Sequence, residues 1–423
     1  MQTSMYNLPP EILELILLEL DPLDMASIAQ TCSLLHAHVY EGPDDHLWRT
    51  HYLSQPLDDP RTCRTTLGDP LPDHVDWKTR LQRVTRARVI VANPSRCRPE
   101  ERCAVLQTLL DLICNLPPAP GFLSDQLSLN LVWLAALLRG GSFLEHTEWE
   151  PSDEERQLRS RLHTYFGLTT LDYRPARRIA SRSYVYAMRH YKWDNDFGPF
   201  MMDGSGRVNW EHVQAIHHVM SMQVVPPQSE SELEPSVFTI FPMSLPYCQS
   251  IIPHGMDLDT EQDWAGVTGL WQCSFCFCDH RELLVYNNFN LSDNDPLQPS
   301  IFEDPDFVEI FRSIEVKLRV LSTEYDPAHP KRPKINFAGS IENHATMVGW
   351  IKLTPDDEIR WHFKSGEQGD AIWSSEGVQV GGVRSSFGVL GSWTTVHHDR
   401  HDPVGPFWLR KMHPTTADET GLS

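Results

Sequence analysis

The sequence has no apolar run of the roughly 20 residues that a membrane-spanning helix needs; its nearest candidate, Leu131 to Leu138, is far too short. The N-terminus has no basic region leading into an apolar core and a small-residue cleavage site, so no secretory leader is expected. Positive charge is scarce. Against 57 Asp+Glu stand 36 Lys+Arg, a net charge of −21, which argues against electrostatic binding to nucleic acid or to an anionic membrane. Cysteine is present but unframed: the nine residues are odd in number and lack even spacing, a usage that suits reduced thiols. A soluble protein of the cytoplasm and/or nucleus is the expectation. The Gly-x-Ser-x-Gly, phosphate-loop, dinucleotide and His-Glu-x-x-His signatures are also missing. No catalytic residue and no cofactor is therefore nominated. The 423 residues leave room for two or three domains.

What is there begins at the N-terminus. Leu8-Pro9-Pro10-Glu11-Ile12-Leu13 opens a helix on which Ile12, Leu13, Ile16, Leu17 and Leu20 recur at three- and four-residue steps. Proline near a helix start costs little, because the N–H it lacks has no partner there. Asp21-Pro22 repeats the start signal, with Asp24 in the first turn. A second helix is expected to carry Ile28, Cys32, Leu35 and Val39, and Gly42-Pro43 to break it. Asp44 or Asp45 would then cap a third, bearing Leu47, Trp48 and Tyr52. So small a unit has more apolar side chains than it can bury alone, so a partner is expected.

These residues resemble an F-box. Leu8, Pro9, Glu11, Ile12, Leu13, Ile16, Leu20, Leu23, Ile28, Cys32, Leu34, Leu35 and Trp48 match that family's pattern. The resemblance implies a three-helix module over 1–53 that docks on the Skp-type adaptor of a cullin–RING ubiquitin ligase. It nominates Leu8, Pro9, Ile12, Leu13, Ile16, Leu20, Leu23, Ile28, Leu34 and Trp48 as adaptor-binding. No RING or HECT element is evident, so ubiquitin transfer would fall to partners.

Residues 54–76 are rich in Asp, Pro and Thr without periodicity and read as a linker. Residues 77–222 read as an all-α spacer. Its first helix runs from Trp77 to about Val91, with Lys78, Arg80, Arg83 and Arg86 forming a solvated basic face. Two helices are expected between Glu100 and Gly140, one from Asp153, and one from Trp210 to about Met222 capped by Asn209. Residues 223–262, rich in Pro, Ser and acidic groups, read as an irregular and partly disordered linker, and 413–423 as a disordered tail.

Across 263–412 the period becomes two. Ile314, Val316, Leu318 and Val320 alternate with Glu315, Lys317 and Arg319; Ile359, Trp361 and Phe363 alternate with Arg360, His362 and Lys364. Such alternation marks strands with one dry face. Further strands are expected at 267–278, 282–286, 335–339, 347–353, 371–374, 378–383 and 387–396. About nine strands with short connections suit an antiparallel barrel, which removes exposed edges by closing on itself. The fold class expected is thus an α+β multidomain chain with a C-terminal antiparallel β-barrel.

Asp263-Trp264-Ala265-Gly266-Val267, Gly269-Leu270-Trp271, Val348-Gly349-Trp350-Ile351-Lys352-Leu353, Ser374 through Gly382 and Asp402 through Trp408 carry a second resemblance. They are similar to the substrate domain of the F-box-only proteins that bind cyclin D1, fungal-type members above all. The resemblance implies a barrel that recognises a short degron in a client protein bound for the proteasome.

Within the barrel, polar groups between two tryptophans suit a peptide pocket, with rings supplying area and hydrogen bonds fixing register. Trp373, Ser375, Glu376, Gln379, Arg384, Ser385, Trp393 and His397 are the substrate-binding candidates, Arg384 as a partner for a carboxylate or phosphate. Glycines 377, 381, 382, 388 and 391 either admit a peptide backbone or let strands coil at barrel corners. Cys273-x-x-Cys276-x-Cys278-x-His280 has the residue types of a zinc set. In an extended strand, however, Cys276, Cys278 and His280 share one face and Cys273 the other, so no metal is assigned. His397-His398-Asp399-Arg400-His401-Asp402 is open to a metal or acid–base role or to a polar rim loop. Two function classes result: a non-catalytic substrate receptor of a ubiquitin ligase, or a ligand-binding or enzymatic barrel that the N-terminal module tethers.

Overall fold

The computed structural model describes residues 8–42, 45–122, 127–145, 150–225, 244–289, 294–341, 345–367 and 370–412. Helix α1 (Pro10–Leu18) and helix α2 (Pro22–Ala29) start on prolines, and the Asp21 side chain accepts the Leu23 N–H to cap α2. The expected second helix is two: the chain turns at Thr31-Cys32, and α3 (Ser33–Tyr40) begins with Cys32 extended at its N-cap. Asp45 precedes α4 (His46–Leu53) without a side-chain cap, and Asp44 lies outside the described residues. Trp48 fixes the α3–α4 angle by donating its indole N–H to the Val39 carbonyl at 3.1 Å.

Helix α5 (Trp77–Ala92) receives this unit. Its basic residues do more than face solvent: Lys78 Nζ lies over the Tyr40 and Trp48 rings, Arg88 Nη2 meets both Asp21 carboxylate oxygens at 2.7 and 2.8 Å, and Arg86 pairs with Glu101. The helical layer continues through α6 (Arg102–Cys114), α7 (Leu129–Leu138), α8 (Asp153–Phe166), α9 (Pro175–Val185) and α10 (Trp210–Val224), the last capped by Asn209. Among the described residues no helix is long and apolar enough to cross a membrane.

Both segments expected as linkers lack long elements, yet their described parts are packed. In 54–76, Leu57, Asp58 and Cys63 are buried, and Arg64 pairs with Leu116. In 244–262, Leu245, Cys248 and Leu258 are buried, and the chain hydrogen-bonds to Ala119 on one side and to Gly382 and Val383 on the other. Polar composition concealed this because these backbones spend their hydrogen bonds on the protein instead of on water. The Pro- and Ser-rich stretch 226–243 and the tail 413–423 lie outside the described residues.

Eight strands close an antiparallel barrel in sequence order: β1 (Gly269–Cys278), β2 (Glu309–Glu324), β3 (Lys334–Ile341), β4 (Ala345–Leu353), β5 (Ile359–Glu367), β6 (Asp370–Val380), β7 (Gly388–Thr395) and β8 (Gly405–Lys411). Closure is by β1 on β8, Trp271 opposite Lys411 and Phe275 opposite Phe407. The barrel expected from the alternation is therefore present, with three corrections to its strands. Residues 371–374 and 378–383 belong to one strand, because Ser374-Ser375-Glu376-Gly377 stays in the ladder. Residues 282–286 form helix α11 (His280–Tyr286), since Asp279 caps the Arg281 and Glu282 amides. The strand 405–411 is additional to the expected set, its pattern masked by Pro403 and Pro406.

The helical layer and the barrel share a core. Outward-facing Cys276, Val378, Val380 and Leu390 join Val213, Ile216 and Met220 of α10 in one buried cluster. Strand β6 is thus dry on both faces from Ser374 onward, which explains why its sequence does not alternate.

Candidate functional site

Two surfaces stand out: the outer side of the N-terminal helices and the interior of the barrel. On the first, Leu13 and Leu17 of α1 turn inward, joined by Met25, Ala29, Val39 and Trp48. Ile12, Leu15 and Ile16, at three- and four-residue steps on the other side of α1, remain 42, 59 and 38 % exposed; Leu23 and Leu34 are 44 and 48 % exposed. The ten adaptor-binding candidates therefore divide. Pro9, Ile12, Ile16, Leu23 and Leu34 face solvent, Leu8, Leu20 and Ile28 are half-buried, and Leu13 and Trp48 belong to the unit's own core. Helical spacing alone could not separate the two sides, because apolar residues occupy both.

The barrel interior is full at one end and hollow at the other. The full end is a stack of aromatics: Trp271 and Phe337 lie 5.2 and 5.5 Å from Trp361, ring centre to ring centre. Trp264, fully buried, donates to the Pro333 carbonyl at 2.8 Å and closes this floor. Gln379 belongs here: its Oε1 accepts from Trp361 Nε1, and its Nε2 donates to the Gly382 carbonyl. A buried Arg332 locks residues 67–69 and Asp259 beneath the floor.

Above it lies a cavity of about 830 Å³. Phe275 and Phe277 of β1, Ile310 and Ile314 of β2, Met347 of β4 and Phe363 of β5 form one side. Trp373 and Ser375 of β6, Trp393 of β7 and Phe407 of β8 form the other. Trp373 and Trp393 meet edge to face at 5.2 Å, and Trp393 spends its N–H on the Cys276 carbonyl at 3.1 Å. Gly377 and Gly391 oppose each other where the Phe407 ring lies. A Cβ on Gly391 would sit 2.5 Å from that ring and 2.1 Å from the Glu376 carbonyl oxygen. These glycines make room for packing, not for a peptide backbone. Burial pushes the Cys273 and Cys278 thiols up to about 12, so both line the cavity as neutral groups. Asp279 and Glu367 supply the charge among the described lining residues, His280 Nε2 is spent on the His401 carbonyl at 2.8 Å, and neither lysine nor arginine is among them.

The substrate-binding candidates do not converge. Trp373, Ser375 and Trp393 share the cavity wall. Glu376 points outward and is spent holding the helical layer: Arg360 Nε and His362 Nδ1 meet its two oxygens at 2.9 and 2.6 Å, and Arg360 reaches on to Asp196 at 2.9 Å. Arg384, in the β6–β7 connection beyond the floor, donates to the Asp263 carbonyl at 2.6 Å. Buried Ser385 donates to the Val380 carbonyl. His397 is exposed on the β7–β8 connection. The rest of that histidine run diverges too, with His398 stacked 4.0 Å from the Phe197 ring and His401 Nε2 on the Phe289 carbonyl. Cys273 and Cys276 indeed take opposite faces of β1, while His280 has left the strand for α11.

One trio among the described residues has metal-like spacing: Glu145, His163 and Asp172, ligand atoms within 4.8 Å. Its charge is balanced from within. Arg177 lies 3.4 Å from Asp172 and 3.7 Å from Glu145, and Gln214 meets His163 Nδ1 at 2.6 Å. Burial opposes ionisation of Asp172, but His163, His218 and Arg177 outweigh it and hold the carboxyl well below the usual range. A second buried pair crosses the layers: Arg161 of α8 meets Glu358 of the β4–β5 turn at 2.6 Å. Burial, with Asp356 and Asp357 nearby, raises Glu358 to about 7 in spite of Arg161.

Compared with known proteins, residues 5–54 match the F-box-like family. No curated protein and no solved structure matches the chain. The chain therefore carries an N-terminal F-box-like domain, joined through further helices to a closed eight-stranded antiparallel barrel. F-box domains in general are non-catalytic modules that bind a Skp-type adaptor.

Proposed function

We propose that the chain is the substrate-recognition subunit of a Skp–cullin–RING ubiquitin ligase, its N-terminal domain docking on the adaptor and its barrel engaging a client protein for degradation. The observation that carries this reading is the division of the F-box-like domain into two faces. Its inner side is consumed by α5 and the helical layer, while Ile12, Leu15, Ile16, Leu23 and Leu34 remain uncovered. Aliphatic side chains of that number left in water on short helices suit a permanent partner surface. The assignment of client recognition to the barrel rests on the motif resemblance between Asp263 and Trp408 alone. Client contacts fall at the mouth, where Ile372, Trp373 and Val308 are exposed, since the floor is closed.

The test is reconstitution of the full chain with purified adaptor, cullin and RING subunits, followed by comparison of ubiquitinated proteins in cells expressing wild type, L15D/I16D or W373A. Clients should be modified by wild type alone. Co-purification with adaptor but an unchanged ubiquitinated proteome would remove the degradation role, and no co-purification would remove the ligase role.

A further inference from the structure

The hollow half of the barrel has a chemistry of its own, which holds whether or not the chain serves a ligase. An eight-stranded barrel is either filled by its side chains or holds one small ligand. This one does each at opposite ends. The cavity of about 830 Å³ lies in the upper part of the roughly 300–1,000 Å³ range of small-molecule sites.

Its walls limit the occupant. Strands β1 to β8 close into one ladder, and although Glu309–Glu315 of β2 run past β3 and Cys276–Cys278 of β1 run past β8, strand donors and acceptors lie in the plane of the sheet and do not point into the hollow. Ser365 and Ser375 supply the hydroxyls of the described lining. A peptide main chain drawn inside would bury amides without partners, at a cost that apolar contact does not repay. A carboxylate or phosphate would fare worse. Lysine and arginine are absent from the described lining and Asp279 and Glu367 sit among it; Arg312 shares the inward parity of Ile310 and Ile314 on β2 but is exposed, so its charge stays in water. Aromatic rings on both sides, Phe275, Phe363, Trp373, Trp393 and Phe407, instead present flat apolar surface.

We infer that the barrel cavity is a binding site for an uncharged, predominantly apolar small molecule of the size of an isoprenoid alcohol, which enters past Trp373 and rests on the Trp361 floor.

The experiment uses the full chain and two probes sharing one skeleton, all-trans retinol and all-trans retinoic acid. Trp373 and Trp393 line the site, so occupancy quenches tryptophan emission and sensitises retinol emission. Titration should give saturable binding of one retinol per chain, at least ~10-fold tighter than retinoic acid, whose carboxylate would lie desolvated without a cation. S375F and I314W, which place rings in the empty space, should weaken retinol by ~10-fold or more, while L321S on the barrel exterior should leave it unchanged. Absence of saturable quenching in the wild type overturns the proposal. So does retinoic acid binding as well as retinol, or retinol affinity unchanged in either filling variant that keeps the wild-type urea midpoint. None of these outcomes touches adaptor binding, which the N-terminal face decides separately.

Discussion

The exposed face of α1 to α3 gives the sharpest perturbation. Ile12, Leu15, Ile16, Leu23 and Leu34 are each between 38 and 59 % exposed, together equivalent to roughly two whole aliphatic side chains left in water, or about 3–6 kcal/mol of apolar drive on docking. Replacing Leu15 and Ile16 by aspartate removes close to half of that surface and sets two charges where a partner must exclude water. At about 1.4 kcal/mol per factor of ten, affinity for a purified Skp-type adaptor should fall by about 100-fold or more, read by calorimetry or by competition in a pull-down. Because both side chains are outside the core, the unfolding free energy from urea titration should change by less than about 1 kcal/mol. Leu17→Ala and Met25→Ala act in the opposite sense: both residues are buried, and each should cost about 2–5 kcal/mol of stability with adaptor affinity following only the fraction folded. Adaptor binding of L15D/I16D equal to wild type would refute the assignment of this face, and an unfolded L15D/I16D would refute its separation from the core.

Three further outcomes are expected. A double-mutant cycle in urea on R161M and E358Q should return a coupling of about 2 kcal/mol or more, with R161M alone costing about 3–5 kcal/mol because a buried carboxylate loses its cation; additive effects would mean that this pair does not tie α8 to the barrel. Burial lowers His212 and His217 to about 3 and His218 to about 4, so their neutral-state stabilisation is complete above about pH 6.5 and is lost as pH falls toward the folded values, by about 2 kcal/mol each near pH 5. Glu358, raised to about 7, runs the other way, its contribution complete below about pH 4.5 and lost as pH rises through 7, so E358Q should deepen the acid decline of the urea midpoint and H212Q/H217Q should flatten it; a midpoint level from about pH 7.5 to 5 in all three refutes the assignment. Gly391→Ala should destabilise by about 2 kcal/mol or more, because its Cβ would strike the Phe407 ring and the Glu376 carbonyl, and a urea midpoint equal to wild type would contradict that packing.

How much of this was legible depended on whether a local period reported a unique environment. The F-box-like helices were readable because Leu13 and Leu17 repeat at helical spacing beside start signals such as Asp21-Pro22. Strand β2 is readable because one face meets water, and β5 because its outward side chains are polar, Arg360 and His362 pairing with Glu376. Strand β6 is not, being buried on both faces, and its polar residues read as one pocket although the structure sends them to opposite sides. Parity alone could have separated them: Ser375 and Glu376 are neighbours in a strand and must point to opposite sides. Distance along the strand could have removed Gln379, four residues from Ser375 and at the floor. Arg384 had no such signal, since a connection beyond a strand end carries no period.

The cavity was beyond reach of the sequence for a different reason. A stripe of Phe, Trp, Ile and Met reads the same whether it fills a barrel or lines a hollow one. What decides between them is how side chains from eight strands meet across the axis. At the floor, Trp271, Phe337 and Trp361 converge with Trp264 inserted from the preceding segment, and the space is consumed. At the other end the rings of Trp373 and Trp393 pack against each other along the wall, Phe363 and Phe407 do likewise at 5.2 Å, and the axis stays open. The same pairing that stabilises the wall keeps those rings from the centre. The hollow is therefore held open by wall packing, and the outer face of that wall is covered where Cys276, between Phe275 and Phe277, joins the buried cluster that includes α10. The helical layer thus has a structural part in the barrel's chemistry, because removing it would uncover the outer face of the strands that frame the cavity.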